Sequence, residues 1–298
     1  MHLTRSFVRA KRPCTDGFRW FVRQFGEGGH YQELLDTMVA AGRVGDACWL
    51  LEQFGPSSEV REVDAIEADA IVFAGTLHVR RGIDVNGIIR IGHSLHTGGG
   101  VRVGGDLAVG GDLRAGASVR AEGNLEVGGD LRVAWGVDCA GRLHAAGGLR
   151  VGWDLRCAGR LSVTENALVG LDLDAGDEVC CDRELQAGRD IVVAEGLRAG
   201  YGISAGGSIR AGMHLEAGRG IKAGEEIVAG GAIRAGESLS AGVAIRAGSG
   251  YGIFAGLDVA REDWASSARV NAPQRPEGLI SGCWAGPAPL RTAGQAAS

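Results

Sequence analysis

IRAGMH LEAGRG IKAGEE IVAGGA IRAG (residues 209–236) repeats a single step: an aliphatic residue, a variable one, alanine, glycine and two more variable positions. A period of six matches neither the 3.6-residue turn of an α-helix nor the plain alternation of a long strand. Three residues of alternation followed by a corner describe a very short strand that then bends. Its first and third side chains face one way and the second faces the other. Glycine at the fourth position is expected to supply backbone freedom at the bend.

The same frame runs far outward from this stretch. Stepping by six from Ile71 to Ile245 meets Ile, Leu or Val at every anchor except Ala167. Ala, Val, Cys or Ile stands two residues after each anchor, with Phe73 and Thr97 as exceptions. A three-residue strand cannot bury its own apolar face, but stacked coils share one interior. Three steps make a triangular coil of 18 residues. The expected fold is therefore mainly β: a single-stranded parallel β-helix of about ten coils, roughly 48 Å long at ~4.8 Å spacing. Alanine dominates the third position from Ala187 onward, which predicts a tighter interior there.

Steps such as VRVGGDLAVGGDLRAGASVRAEGNLEVGGDLRV (residues 101–133) resemble the bactofilin-type β-helix of bacterial polymer-forming proteins. The resemblance spans about residues 71–259 and implies a structural scaffold. Left-handed hexapeptide transferases typically place the small residue two positions before the aliphatic one. Here it follows by two, so a right-handed coil is expected. Filament-forming bactofilins usually carry short flexible tails, whereas this chain has non-repeating segments on both sides, which predicts a capped particle.

Residues 1–58 form the first of those segments, an expected α-helical module. Thr15 and Asp16 are placed to cap a helix bearing Phe18, Phe21, Val22 and Phe25 at three- and four-residue spacing. Further helices are expected at residues 31–41 and 44–54, with GPSS ending the module. Docking over the first coil would cover its open end. The β-helix is assigned to residues 59–259. Residues 260–298 are expected to form a C-terminal cap, with Trp264, Ile280 and Trp284 over the last coil, and a disordered tail, PAPLRTAGQAAS.

Composition narrows the function. The chain has 52 glycines but only 6 prolines in 298 residues, and 45% hydrophobic residues, enough to build a core. A net charge of −5 with well-mixed signs speaks against a nucleic-acid or membrane surface and against a DNA mimic. The start lacks the apolar core of a secretory signal, and no run is long enough to span a membrane. The seven cysteines match no zinc spacing and are expected to be reduced thiols in a bacterial cytoplasm. No nucleophile elbow, phosphate loop or HExxH motif occurs, and glycine-rich stretches such as GVRVGG lack the helix of a dinucleotide loop. No cofactor and no metal site are expected. His78, His93 and His96 are expected to be surface residues. The repeat has no insertion from which to build a lid, so a hexapeptide-type acyltransferase ranks as the weakest functional expectation.

Because equivalent positions recur every 18 residues, the sequence also maps the outer surface. Trp135 and Trp153 share one corner column, which Leu171 continues. Arg114, Arg132, Arg150 and Leu168 share a neighbouring outward column. Tryptophan and arginine are the side chains that most often anchor protein interfaces, so these seven residues are the expected partner-binding surface. The competing structural reading folds each tryptophan over its own corner beneath a stacked arginine. Asp154, Asp172 and Asp190 stack at corners near Arg189 and are expected to be solvated. Cys139 and Cys157 are expected in the core, and Tyr201 and Tyr251 as braces beside the coil.

The function expected from these features is a non-enzymatic cytoplasmic binding protein, a monomer or small homo-oligomer. Its most concrete form is an immunity- or inhibitor-type protein that covers a bacterial toxin or effector. The alternative is a bactofilin-like scaffold that assembles into filaments.

Overall fold

A computed structural model describes residues 1–287. The expected tail therefore lies outside the described residues apart from Pro287. The chain divides into two compact units, Met1–Gly147 and Gly148–Ser298.

The first unit opens with strand β1 (His2–Thr4), helices α1 (Arg5–Ala10) and α2 (Thr15–Phe25), strand β2 (Gly28–His30), and helices α3 (Tyr31–Ala40) and α4 (Val44–Phe54). Strands β3 (Val60–Val63), β4 (Ile66–Ala68) and β5 (Ile71–Phe73) then make the first turn of a three-sided parallel coil. Later turns repeat it in register, with Val101 opposite Val119, Leu107 opposite Leu125 and Leu113 opposite Leu131. The second unit contains the same coil, with Leu155 opposite Leu173 and Ile209 opposite Ile227. First and third positions point inward and are buried, down to Cys139 at 1% and Cys157 at 2% exposure. Ala199, Ala205, Ala211 and Ala217 are buried as well, in agreement with the alanine-rich interior.

The described residues form about 12 turns rather than ten. Counting from Ile71 misses β3 and β4, because Val60 pairs with Thr76 at an offset shorter than a full coil. Counting to Ile245 misses Arg269–Asn271, Leu279–Ser281 and Cys283–Trp284, which rejoin the ladders after irregular insertions. Their alternation also corrects the expected C-terminal cover. Leu279 takes the inward position opposite Ile253, so Ile280 points out and is 67% exposed. Trp284 is 46% exposed and donates its indole N–H to the Ala272 carbonyl at 3.2 Å. Trp264 is half-buried with its ring against Gly256, and Ile253, Ala255, Ala268, Val270 and Ala272 are fully buried at this end.

Glycine at the corners has a different cause from the one expected. The repeat contains no positive-φ residue between Gly55 and Gly250. A Cβ at Gly170 or Gly206 would instead run into the carbonyl of the preceding turn, Gly152 or Gly188 respectively. Close approach of two backbones, not left-handed geometry, selects glycine at these positions.

Corners are tied by side chains at the sixth position of the step. Asp106 accepts from the Asn124 backbone N–H at 2.7 Å, and Asn124 in turn accepts from Arg142 at 3.1 Å. In the second unit Asp154 accepts from Asp172, Asp172 from Asp190 at 3.0 Å, and Asp190 from Ser208 at 2.7 Å. The aspartates expected to be solvated are thus backbone caps, with Arg189 beside Asp172 at 3.4 Å offsetting the like charge. Asp172→Ala should lower the unfolding free energy by about 1 kcal/mol. Asp172→Asn, which keeps an acceptor, should lose less; urea denaturation of both variants checks this.

The N-terminal module forms one apolar core from Leu3, Phe21, Leu34, Leu35, Leu50 and their neighbours, which extends to Val72 and Ala74. Cys14, rather than Thr15 or Asp16, caps α2: its Sγ accepts from the Gly17 N–H at 3.2 Å. The α1 helix and the antiparallel β1–β2 pair are too short to carry a periodic signal. Tyr31 donates to the Gly55 carbonyl at 3.0 Å, and burial pushes its phenol pKa up.

Gln32 fastens this module to the coil. In a parallel ladder successive residues direct their N–H and C=O groups to opposite neighbours. Ile71 donates to Ile88 and Phe73 accepts from Gly92, so Val72 and Ala74 face away from the next turn. Gln32, only 2% exposed, donates to the Val72 carbonyl at 3.0 Å and accepts from the Ala74 N–H at 2.9 Å. One side-chain amide thereby replaces a missing strand at the edge of β5. Gln32→Ala should cost about 1–3 kcal/mol by leaving two buried groups unpaired. Its effect should appear as faster amide exchange at Ala74.

Candidate partner-binding surfaces

In the first unit, register places His78, His96, Arg114 and Arg132 in one outward column on successive strands. Arg114 pairs with Asp112 at 3.3 Å and Arg132 with Asp130 at 2.7 Å. Each arginine is therefore held by the corner aspartate two residues before it. Exposed pairs of this kind contribute at most about 1 kcal/mol, so both guanidinium groups remain available to a competing carboxylate.

Trp135 stands at the corner after Leu131–Val133 and is 48% exposed. Arg81, Gly99 and Ala117 precede it in its column. A shallow hollow of about 560 Å³ runs from Trp135 past Ala117 and Gly100 to Glu67. Charged side chains edge it: Asp84 paired with Arg102 at 3.7 Å, and Arg120 with Glu122 at 3.0 Å. An apolar plate beside a polar, mixed-charge trough has the make-up of a protein-contact surface.

The second unit carries the remaining expected residues. Arg150 is exposed and registers with Leu168, and the Trp153 carbonyl accepts from the Leu171 N–H at 3.1 Å. Trp153 is 54% exposed, while Leu168 and Leu171 are half-buried. The seven expected residues thus form two sets. Arg114, Arg132 and Trp135 belong to the first unit, and Arg150, Trp153, Leu168 and Leu171 to the second. The expected braces hold to aromatic contacts: Arg219 lies 4.6 Å from the Tyr201 ring centre, and Tyr251 meets His214 edge-on at 5.5 Å.

His78 and His96 stack edge-on at 4.8 Å. Burial lowers the His96 pKa, and the neighbouring His78 and Arg114 charges lower it further. Among the described residues, no three His, Cys, Asp or Glu side chains are grouped to hold a metal ion. Cys14, Cys48, Cys180, Cys181 and Cys283 are free thiols, and burial raises the pKa of Cys48 and Cys181. No helix among the described residues is long and apolar enough to cross a membrane.

Sequence reasoning missed Arg61. It occupies an inward position, opposite Leu77, at the mouth of the coil. There it lies 4.8 Å from the Phe73 ring centre and pairs with Asp36 of α3 at 3.3 Å. The only signal was a charged residue at an anchor position outside the six-residue frame.

Residues 1–54 match the family model described as the YdhT N-terminal domain, and the match ends where α4 ends. No curated protein and no solved structure matches the chain.

A lowered His96 pKa means the unfolded chain takes up this proton more readily than the folded one. Stability should therefore fall as pH drops below about 6.5, the unfolded value. His96→Gln should reduce the difference in urea midpoint between pH 7.5 and pH 5.

Proposed function

We propose that this protein is a non-enzymatic binding protein whose β-solenoid presents partner-contact surfaces on its flanks. The observation that carries the reading is the exposure of Trp135 and Trp153, at 48% and 54%, on outward corners of the coil. A half-exposed indole on a rigid strand corner loses little conformational freedom on binding, which makes it an efficient anchor. Arginines beside it steer an acidic partner and fix its orientation. The most concrete form of this function is an inhibitor or immunity-type protein that occludes a bacterial toxin or effector. The corners between the strands of the strict repeat carry no inserted loop, which favours occlusion over catalysis.

A second reading, a bactofilin-like scaffold, draws on one observation: β3 and β4 each pair with a strand on one side only. The two readings separate in a single experiment. The full chain and the Trp135→Ala/Trp153→Ala variant are used as baits, with light scattering of the same preparations. The expected result is one or more stoichiometric partners for the wild type, bound at least roughly 30-fold more weakly by the folded variant. Partners retained in full by the variant would remove the tryptophan assignment. Long polymers without a partner would favour the scaffold.

A further inference from the structure

The first turn of the coil is incompletely covered. Val63, Ile66, Ala68 and Ile71 are only half-buried, although their equivalents one turn later, Val79, Ile83, Val85 and Ile89, are at most 3% exposed. A cavity of about 940 Å³ opens beside them, between the coil and the helices, lined by Val39, Val44, Val63, Ile66, Ala68 and Ile71. Burial of this apolar surface is the missing stabilisation.

Backbone chemistry at the same edge says what the occupant is. Gln32 satisfies the outer edge of β5, but among the described residues no such group serves β4. The Ile66 N–H donates to Gly82 and the Ala68 carbonyl accepts from Asn86, so Glu67 directs its N–H and C=O away from the neighbouring strand. An open strand edge beside apolar side chains is the arrangement that recruits an extended peptide by β-addition. Charge narrows the choice. Glu67 lies in register with Asp84, and two like charges on adjacent strands repel. One turn on, Arg102 meets Asp84 at 3.7 Å, but among the described residues β4 pairs with no strand on its outer side and no ion pair is made by Glu67.

We propose that β4 accepts an extended segment of a partner protein as an added parallel strand. The segment has apolar residues at alternate positions, which enter the cavity, and a lysine or arginine between them, which meets Glu67. The site rests on backbone groups of β4 and not on Trp135 or Trp153. The double tryptophan variant should therefore bind the segment as the wild type does, and the two readings can fail separately.

The probe is a fluorescein-labelled peptide, G-I-R-V-N-G-I, which is the 82–88 sequence with arginine in place of Asp84, titrated with the full chain. Its control is the unaltered G-I-D-V-N-G-I. The expected result is saturable anisotropy for the arginine peptide, weaker binding of the control, and slowed hydrogen exchange at the Glu67 amide. Glu67→Pro removes the one N–H that faces the open edge and breaks no ladder bond, since proline is tolerated on such an edge. It should weaken the arginine peptide by roughly tenfold or more. Glu67→Lys, which leaves the backbone intact, should reverse the preference between the two peptides. No saturable binding, or binding unchanged in both variants, overturns the proposal. Self-association of the peptide-free chain that Glu67→Pro abolishes also overturns it, because the occupant would then be a second copy.

Discussion

Every strand in the repeat is three or four residues long, so almost none of its backbone hydrogen bonds can be made locally. Each N–H and C=O must find its partner on the equivalent strand of the adjacent turn. That single requirement makes the register strict. An insertion of one residue within a strand would turn inward side chains outward and break the ladder at once, whereas corners absorb a change of length, as where Ile66 pairs with Ile83. The corner caps obey the same rule, since an aspartate can reach the backbone N–H of its counterpart only while the turns remain aligned. Glycine at Gly170 and Gly206 follows from it too, because aligned turns bring carbonyls against the next corner.

A ladder of this kind stabilises every turn except its terminal ones. At the N-terminal end the chain supplies a partial remedy: an amide from Gln32 stands in for a strand, and Arg61 lies on Phe73 across the mouth. The remedy serves β5 and leaves β4 with its edge and its apolar residues half-covered. At the C-terminal end, strands rejoin after irregular insertions, and the large side chains Ile280 and Trp284 point outward. Ends are where a repeat fold has free valence, and so where specificity for something outside the chain can be built.

The outer wall is under weaker constraint. Apart from Val72, which is buried in the core of the N-terminal module, second-position side chains take no part in the core, so their identity is set by neighbours two residues away or one turn away. Arg114 and Arg132 are paired with corner aspartates, Arg102 with Asp84, and His78 with His96. Trp135 and Trp153 stand on the same outer wall, 48% and 54% exposed.

The six-residue pattern by itself determined the coil, the inward positions and the buried Cys139 and Cys157, and helical spacing and stop signals placed α3 and α4 to within a residue. Periodicity reports burial directly, because a side chain that must face the core recurs wherever the backbone returns to it. The columns that carry Trp135, Trp153 and the arginines were legible for the same reason. What only the tertiary structure decided lies where the period fails. The short offset that brings β3 into the ladder, the amide cap of Gln32, the inward Arg61 and the uncovered edge of β4 depend on contacts between segments of different pattern. The reason for glycine was also invisible in the sequence, since close approach and positive φ select the same residue. Local pattern encodes which way a side chain faces; only the packed chain shows what it meets there.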